Sequence, residues 1–291
     1  MVWFKQRKDM VSIDLSAAGA LLSYSMGLIV AIAFPLGAIF ALFAKYQDKL
    51  RSNIAAFGSG IYLAVIAFSL VSESTKEGNG VTMGIGFIIG AVVFSFFNHE
   101  LLKKFNLKKK TQKKYESKEY VKNRSSVNND INHFTDNQNG SPSSAILIGT
   151  LLDSIPESLF LGVIIALDIS NLFGATITLF LGNLSSTIEG AKRMFEEIIG
   201  SENIKEKRKT IIQQWMYVFL IVSIAAPLGY YLVKSLSHGQ ISIILGFAAG
   251  VLMAFITEDL IPEAYKKSNF YNGIATTFGF LIGFTLFNIF Q

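Results

Sequence analysis

The sequence predicts an all-helical polytopic membrane protein with eight transmembrane helices, and three observations support this fold class. Of the 291 residues, 51% are hydrophobic and only 16% are charged. The apolar residues collect in eight runs, each close to or above the length that crosses a bilayer core of about 30 Å as a helix. The basic residues collect between those runs, as is typical of membrane-protein loops. This composition excludes a disordered chain, a coiled coil and a nucleic-acid-binding domain.

The eight predicted spans form a single transmembrane domain over residues 1–291. Their backbone is expected to be helical, because unpaired peptide groups are too costly to expose to lipid. Glycine is frequent in these spans, and small residues let membrane helices approach closely, so we expect a packed bundle. The predicted spans are 17–43, 54–72, 81–99, 144–167, 171–191, 211–234, 241–264 and 270–290.

The distribution of Lys and Arg predicts the orientation of the chain in the cell membrane. With the N-terminus outside, the inward-facing loops hold 21 of the 26 Lys and Arg residues, so both termini are expected to face out. The one long polar segment, residues 101–143, is rich in Lys, Asn and Ser. We expect it to be a mobile cytoplasmic loop.

An internal repeat relates the first three spans to the last three. Residues 29–37 read IVAIAFPLG and residues 221–229 read IVSIAAPLG, and the pattern Gly-Phe-x-Ile-Gly occurs at 86–90 and again at 279–283. Five spans separate the members of each pair, so the two copies cross the membrane in opposite senses. The predicted arrangement is therefore 3+2+3, an inverted repeat of helices 1–3 and 6–8 around a central hairpin. Such repeats are typical of secondary transporters.

Span four carries acidic residues at a depth where charge is costly. Charged side chains inside a bilayer are rare and are candidates for function. Asp153 and Glu157 lie four residues apart, so they share one face of a helix. Pro156 lacks an N–H and crowds the carbonyl of Leu152, which can leave an additional backbone oxygen free for a ligand.

Span five carries a second polar set. It contains Asn183, Ser185, Ser186 and Glu189. Facing span four, this helix would complete a group of three carboxylates and several hydroxyls, with no basic residue expected at the same depth. An anionic pocket of this kind predicts a cation-binding site.

These two segments resemble the metal-binding motifs of the ZIP (Zrt/Irt-like) family of divalent-metal transporters. Span four reads DSIPES where the family has His-Asn-x-Pro-Glu-Gly, and span five reads SSTIEG where it has Gln-Asp-x-Pro-Glu-Gly. The similarity covers nearly the whole chain, because it includes eight spans, outside termini and a cytoplasmic loop after span three. The resemblance implies import of a divalent metal toward the cytoplasm by rocking of the inverted halves against the central hairpin.

The resemblance also implies which residues bind the metal. This chain departs from the family in lacking the span-four His, and Ala226 stands where many members have a Glu in span six. We expect one metal ion on the three carboxylates. All the ligands that remain are oxygens, which shifts preference toward Mn, Mg or Fe(II) relative to Zn, the default of the family. The metal-binding positions carried over are Asp153, Ser154, Glu157, Ser185, Ser186 and Glu189.

A second interpretation stays open at this point. The lost His and Glu ligands favour a degenerate ZIP-like protein that senses metal or serves as a membrane scaffold without net transport. An enzyme is not expected, because no nucleophile–base pair is visible, and the chain has no Cys. The expected partners are the divalent ion as substrate (Zn, Mn or Fe) and the lipid bilayer. No tightly bound cofactor and no nucleic acid are expected, and a homodimer is left open.

Overall fold

The computed structural model confirms the all-helical class for the part of the chain that it describes. Within the described ranges, nearly every residue is helical and no strand occurs. The described residues are 2–45, 47–104, 142–167, 169–197, 204–265 and 270–290.

Eleven α-helices and two π-helical segments make up these ranges. The π segments, Ile66–Leu70 and Ile256–Leu260, each join two α-helices into one continuous rod. The helices are α1 (Val2–Ala31), α2 (Ala33–Phe43), α3 (Asp48–Val65), α4 (Val71–Glu77), α5 (Gly80–Lys104), α6 (Pro142–Leu167), α7 (Leu172–Glu197), α8 (Ile204–Val233), α9 (His238–Phe255), α10 (Ile261–Tyr265) and α11 (Asn272–Ile289).

Seven stretches of helix in the described ranges are long and apolar enough to cross a membrane. This supports the predicted multi-pass membrane protein. Seven of the eight predicted spans correspond to these stretches. The remaining predicted span, 171–191, lies in α7, which is long enough but carries too many polar residues to be among the seven.

The helix α7 lies in the interior of the bundle, which explains how it can be polar. Of its side chains from Leu172 to Glu196, only Phe173 and Glu196 are exposed. A Cβ added to Gly37 of α2 would overlap Thr187, and one added to Gly58 of α3 would overlap Ser185, so both helices touch α7 directly. Because its neighbours cover it, α7 does not need an apolar surface for lipid.

Packing at glycines is similar in the two regions that the repeat relates. A Cβ on Gly60 of α3 would overlap the carbonyl oxygen of Thr276 on α11, and one on Gly250 of α9 would overlap that of Phe87 on α5. The segment Ile256–Leu260 follows Ile66–Leu70 at the same offset that relates Gly250 to Gly60. A π turn is rare and often marks a functional site, so its recurrence at matching positions is an independent sign of internal similarity.

The predicted loop 101–143 is helical at both edges. The helix α5 continues to Lys104, and α6 begins at Pro142. Residues 105–141, the rest of that predicted loop, lie outside the described residues.

Candidate functional site

Asp153 and Glu157, referred to below as the acidic pair, lie on one face of α6 inside the bundle. Both side chains are 1% exposed. The neighbouring α8 packs closely here, because the Ser158 hydroxyl donates a hydrogen bond of 2.8 Å to the carbonyl of Val222 and a Cβ on Gly162 would overlap the carbonyl of Ala226. Both acids therefore lie inside the bundle of described helices.

The acidic pair is short of hydrogen-bond donors. Asp153 Oδ1 accepts a bond of 3.1 Å from the Ser154 hydroxyl. Asp153 Oδ2 and both carboxylate oxygens of Glu157 have no hydrogen-bond partner among the described residues. A buried polar group without a partner costs about 1–3 kcal/mol, and more when it is charged. Three such oxygens on one helical turn therefore call for a positively charged ligand or for protons.

Asn183 of α7 and Tyr62 of α3 form the wall opposite the acidic pair. The Asn183 side chain lies beside Glu157, and the Tyr62 hydroxyl lies near both acids. Tyr62 donates a hydrogen bond of 2.8 Å to Asn183 Oδ1, while Asn183 Nδ2 has no partner among the described residues. The amide orientation of an Asn is assigned from its contacts, so either its oxygen or its nitrogen can face the carboxylates.

The two serines of span five take different positions. Ser185 donates a hydrogen bond of 2.5 Å to the carbonyl of Ile54, so it ties α7 to α3. Ser186 donates to the Asn183 carbonyl at 3.2 Å and lies 3.4 Å from the Tyr62 hydroxyl. Ser186 is therefore the serine of span five that lies beside the Tyr62–Asn183 wall.

Glu189 is paired with Arg51, contrary to the expectation that no basic residue lies at its depth. Arg51 Nε and one terminal nitrogen each lie 2.5 Å from a different carboxylate oxygen of Glu189. Span two was predicted to begin at residue 54, which left Arg51 in a loop. The helix α3 begins instead at Asp48, so Arg51 lies in its first turn and points into the bundle.

Further charges extend this contact into an ion-pair network, by which we mean Arg51, Glu189, Arg193, Glu196, Asp259 and Glu263. Arg51 lies 2.8 Å from Glu196 and 3.7 Å from Glu263. Arg193 lies 3.0 Å from Asp259 and 3.8 Å from Glu263. The network joins the beginning of α3 to the end of α7 and to the segment where α9 continues into α10. We call this end of the bundle the Arg51 end.

A cavity lies at the Arg51 end of the bundle. Its walls come from α5, α6, α7 and the α9–α10 rod. It is lined by members of the ion-pair network and by Ser186, which lies one helical turn from Asn183, whereas Asp153 and Glu157 are not among the described residues that line it. Its polar lining includes Thr150, Ser186, Glu189, Arg193, Asp259 and Glu263.

The predicted metal ligands thus fall into separate groups. Asp153, Ser154 and Glu157 lie together, Ser185 binds backbone, and Glu189 belongs to the ion-pair network. In the described ranges, no three acidic or histidine side chains are close enough to hold one metal ion together. The metal-binding roles of the six residues stay predictions.

Sequence reasoning missed Tyr62 and Arg51. A tyrosine in an apolar span is ordinary, so Tyr62 gave no signal. Arg51 lies three residues before the predicted start of its span, and it was counted only as a loop charge. A helix start placed six residues earlier, at Asp48, would have brought it into the first turn of α3.

The comparisons with known proteins add no identification. No family model matches the chain, and no curated protein matches it. The similarity to ZIP transporters therefore rests on the motifs of spans four and five and on the predicted topology.

Proposed function

We propose that this protein is a multi-pass membrane transporter that carries a divalent metal cation through the acidic pair. The observation that supports this proposal most directly is the set of buried carboxylate oxygens without a hydrogen-bond partner at Asp153 and Glu157. Buried charged groups in proteins are usually paired with an opposite charge or bound to a metal ion. No basic side chain among the described residues pairs with Asp153 or Glu157. A passing cation would supply the missing positive charge.

The charge of the acidic pair favours a divalent ion as the cargo. Two ionised carboxylates carry two negative charges, and one divalent cation balances both. Without a cation, burial and mutual repulsion would require protons on these oxygens. Binding of the metal then displaces protons, and its release toward water lets them return.

We further propose that eight helices cross the membrane in the 3+2+3 inverted arrangement, with α7 as the buried fifth span. The matching π segments and the matching glycine contacts of α3 and α9 support the repeat. The near-complete burial of α7 supports a span shielded from lipid by its neighbours. Two similar halves can exchange inward-open and outward-open packings around a fixed site.

The proposed route leads from the outside to the acidic pair and then into the cavity at the Arg51 end. The Lys and Arg count assigns that end to the cytoplasm. We also propose that the chain belongs to the ZIP family, with the fold and the direction of transport that this membership implies. The cargo we favour is Mn²⁺ or Fe²⁺, because the available donors are carboxylate, hydroxyl and amide oxygens.

Uptake into proteoliposomes tests the proposal. The purified chain, reconstituted into liposomes with a metal-sensitive dye inside, is expected to admit Mn²⁺. Glu157→Gln and Asp153→Asn are each expected to lower the initial rate at least about tenfold, which corresponds to about 1.4 kcal/mol of lost interaction.

A matched control comes from Glu258, another carboxylate in a predicted span. Ser95 and Asn98 of α5 hold it at an exposed position, Asn98 with a bond of 2.9 Å. Glu258→Gln is expected to leave Mn²⁺ uptake within about twofold of the unmodified chain, a difference of less than about 0.5 kcal/mol. Equal uptake by the unmodified chain and by Glu157→Gln would refute the proposed cargo site.

A second candidate function is a metal-sensing or scaffold protein without net transport. The pairing of Glu189 with Arg51 favours it, because it removes one of the three predicted carboxylates from a metal site. This candidate expects Mn²⁺ binding that depends on Glu157 without any uptake into the liposomes. The two assays together therefore separate the two functions.

A further inference from the structure

Arg51 is a buried cation that contacts carboxylates of two helices. Its side chain and that of Glu189 are each 5% exposed. The guanidinium uses two of its nitrogens on the two oxygens of Glu189 and also lies 3.7 Å from Glu263, which is 12% exposed. A bidentate contact of this kind occupies both oxygens of Glu189 and leaves neither directed at a mobile ion.

The position of this contact relates it to the cargo route. Glu189 lies on α7 less than two helical turns from Asn183, which faces the acidic pair, and it lines the cavity together with Glu263 and Ser186. Two carboxylates and a hydroxyl facing one cavity are the hard oxygen donors that divalent cations bind. At this place, however, the cation is the guanidinium of Arg51.

We propose that Arg51 determines the number of cargo ions, because its guanidinium occupies a second cation seat formed by Glu189 and Glu263. The chain then carries one divalent ion at a time, on the acidic pair, and Glu189 is neutralised permanently instead of by a metal. Removing the guanidinium frees both oxygens of Glu189 for a metal ion, while Arg193, 3.8 Å from Glu263, stays in place. This inference rests on the proposed function, since it takes the acidic pair as the cargo site.

Three features of Arg51 explain why a metal ion does not displace its guanidinium from Glu189. The guanidinium is attached to α3, so its local concentration at Glu189 far exceeds that of any free ion. Arginine stays protonated at any physiological pH, so its seat does not empty when the pH changes. A third carboxylate, Glu196, at 2.8 Å, holds it from the more exposed side.

Equilibrium binding of Mn²⁺ to the purified chain in nanodiscs, with bound metal counted by mass spectrometry, tests the inference. Arg51→Gln is expected to bind one more Mn²⁺ per chain than the unmodified protein. Arg51→Gln combined with Glu189→Gln is expected to lose that additional ion. The comparison depends on the increment in bound Mn²⁺ over the unmodified protein.

Arg208→Gln is the matched control for the loss of one positive charge. The Arg208 guanidinium lies over the ring of Phe43, 4.9 Å from its centroid. Its removal is expected to leave the number of bound ions unchanged. An increment of equal size in Arg208→Gln and Arg51→Gln would overturn the inference, because it would show a general effect of charge.

Glu189→Gln in the otherwise unmodified chain keeps the test decisive if Arg51→Gln does not fold. We expect this variant to bind as many Mn²⁺ ions as the unmodified chain, since Glu189 holds no metal there. Loss of an ion in Glu189→Gln, or no increment in folded Arg51→Gln, overturns the inference. Absence of any Mn²⁺ on the unmodified chain refutes instead the proposed cargo site, so the two failures are distinguishable.

Discussion

Two buried acidic regions of this protein lie within the same bundle and are neutralised in different ways. The acidic pair of α6 has three carboxylate oxygens without a partner among the described residues. The ion-pair network at the Arg51 end gives Glu189 two hydrogen bonds from one guanidinium. The comparison teaches that burial of a carboxylate does not by itself indicate a metal site. The two regions differ in whether the protein supplies a counter-charge of its own.

The largest effect on stability is expected when Arg51, the central cation of the ion-pair network, is replaced. Arg51→Gln leaves Glu189 buried and unpaired, and breaking a buried ion pair on one side costs about 3–5 kcal/mol. Thermal unfolding in detergent, followed by the folded fraction in size-exclusion chromatography, measures the loss. Arg208→Gln is expected to cost less than about 1 kcal/mol, the value of a cation–π contact. Similar losses in both variants would contradict the difference drawn between Arg51 and other basic residues.

Added Mn²⁺ is expected to stabilise the folded protein by binding to the acidic pair. Mn²⁺ at about one hundred times its dissociation constant should raise the free energy of unfolding by about 2.7 kcal/mol if it binds only the folded chain. The same unfolding assay, with and without Mn²⁺, measures this shift, and Glu157→Gln should abolish most of it. A full shift in Glu157→Gln would place the bound ion elsewhere.

Removing the charge of Glu157 is expected to raise the free energy of unfolding, whereas removing the charge of Arg51 is expected to lower it. In metal-free buffer, Glu157→Met should raise the free energy of unfolding by about 1–3 kcal/mol, because it deletes a buried polar group that has no partner. The measurement is the unfolding midpoint in the presence of a chelator. A lower midpoint would mean that Glu157 has a stabilising partner in the metal-free protein.

The smallest effect is expected at the Tyr62–Asn183 wall beside the acidic pair. Tyr62→Phe removes the donor to Asn183 Oδ1 and should lower the free energy of unfolding by about 1 kcal/mol, the net value of one hydrogen bond. It should also weaken Mn²⁺ binding, because Asn183 loses the contact that orients it. Unchanged Mn²⁺ affinity in a folded Tyr62→Phe protein would show that the wall does not position Asn183 for the ion.

Much of the helical framework was predictable from the sequence, because it depends on local composition. Seven predicted spans correspond to helices of sufficient length and apolarity. The polar helix α7 was predicted at 171–191, and the structure extends it to Glu197, because its charged last turns remain helical when they pair with α3 and the α9–α10 rod. The two π segments were not predicted, since nothing in a local pattern marks where an additional residue enters a helical turn.

The candidate site was predictable only in part. The positions of Asp153 and Glu157 on one helical face followed from their spacing, and the structure places both inside the bundle. The expected group of three carboxylates required knowledge of how α6, α7 and α3 pack. Ser185 shows the same limit, because it faces the backbone of α3 rather than the acidic pair.

The sequence by itself determined that this chain is helical and apolar and that acidic residues fall within its predicted spans, because helical periodicity and transfer into lipid act on neighbouring residues. Only the tertiary structure decided which of those acids is already neutralised. Arg51 and Glu189 are 138 positions apart in the chain, and their contact exists because α3 packs against the interior helix α7. Pairing over such a separation depends on the packed bundle, and that is why one carboxylate has its own cation while the pair on α6 has none within the described structure.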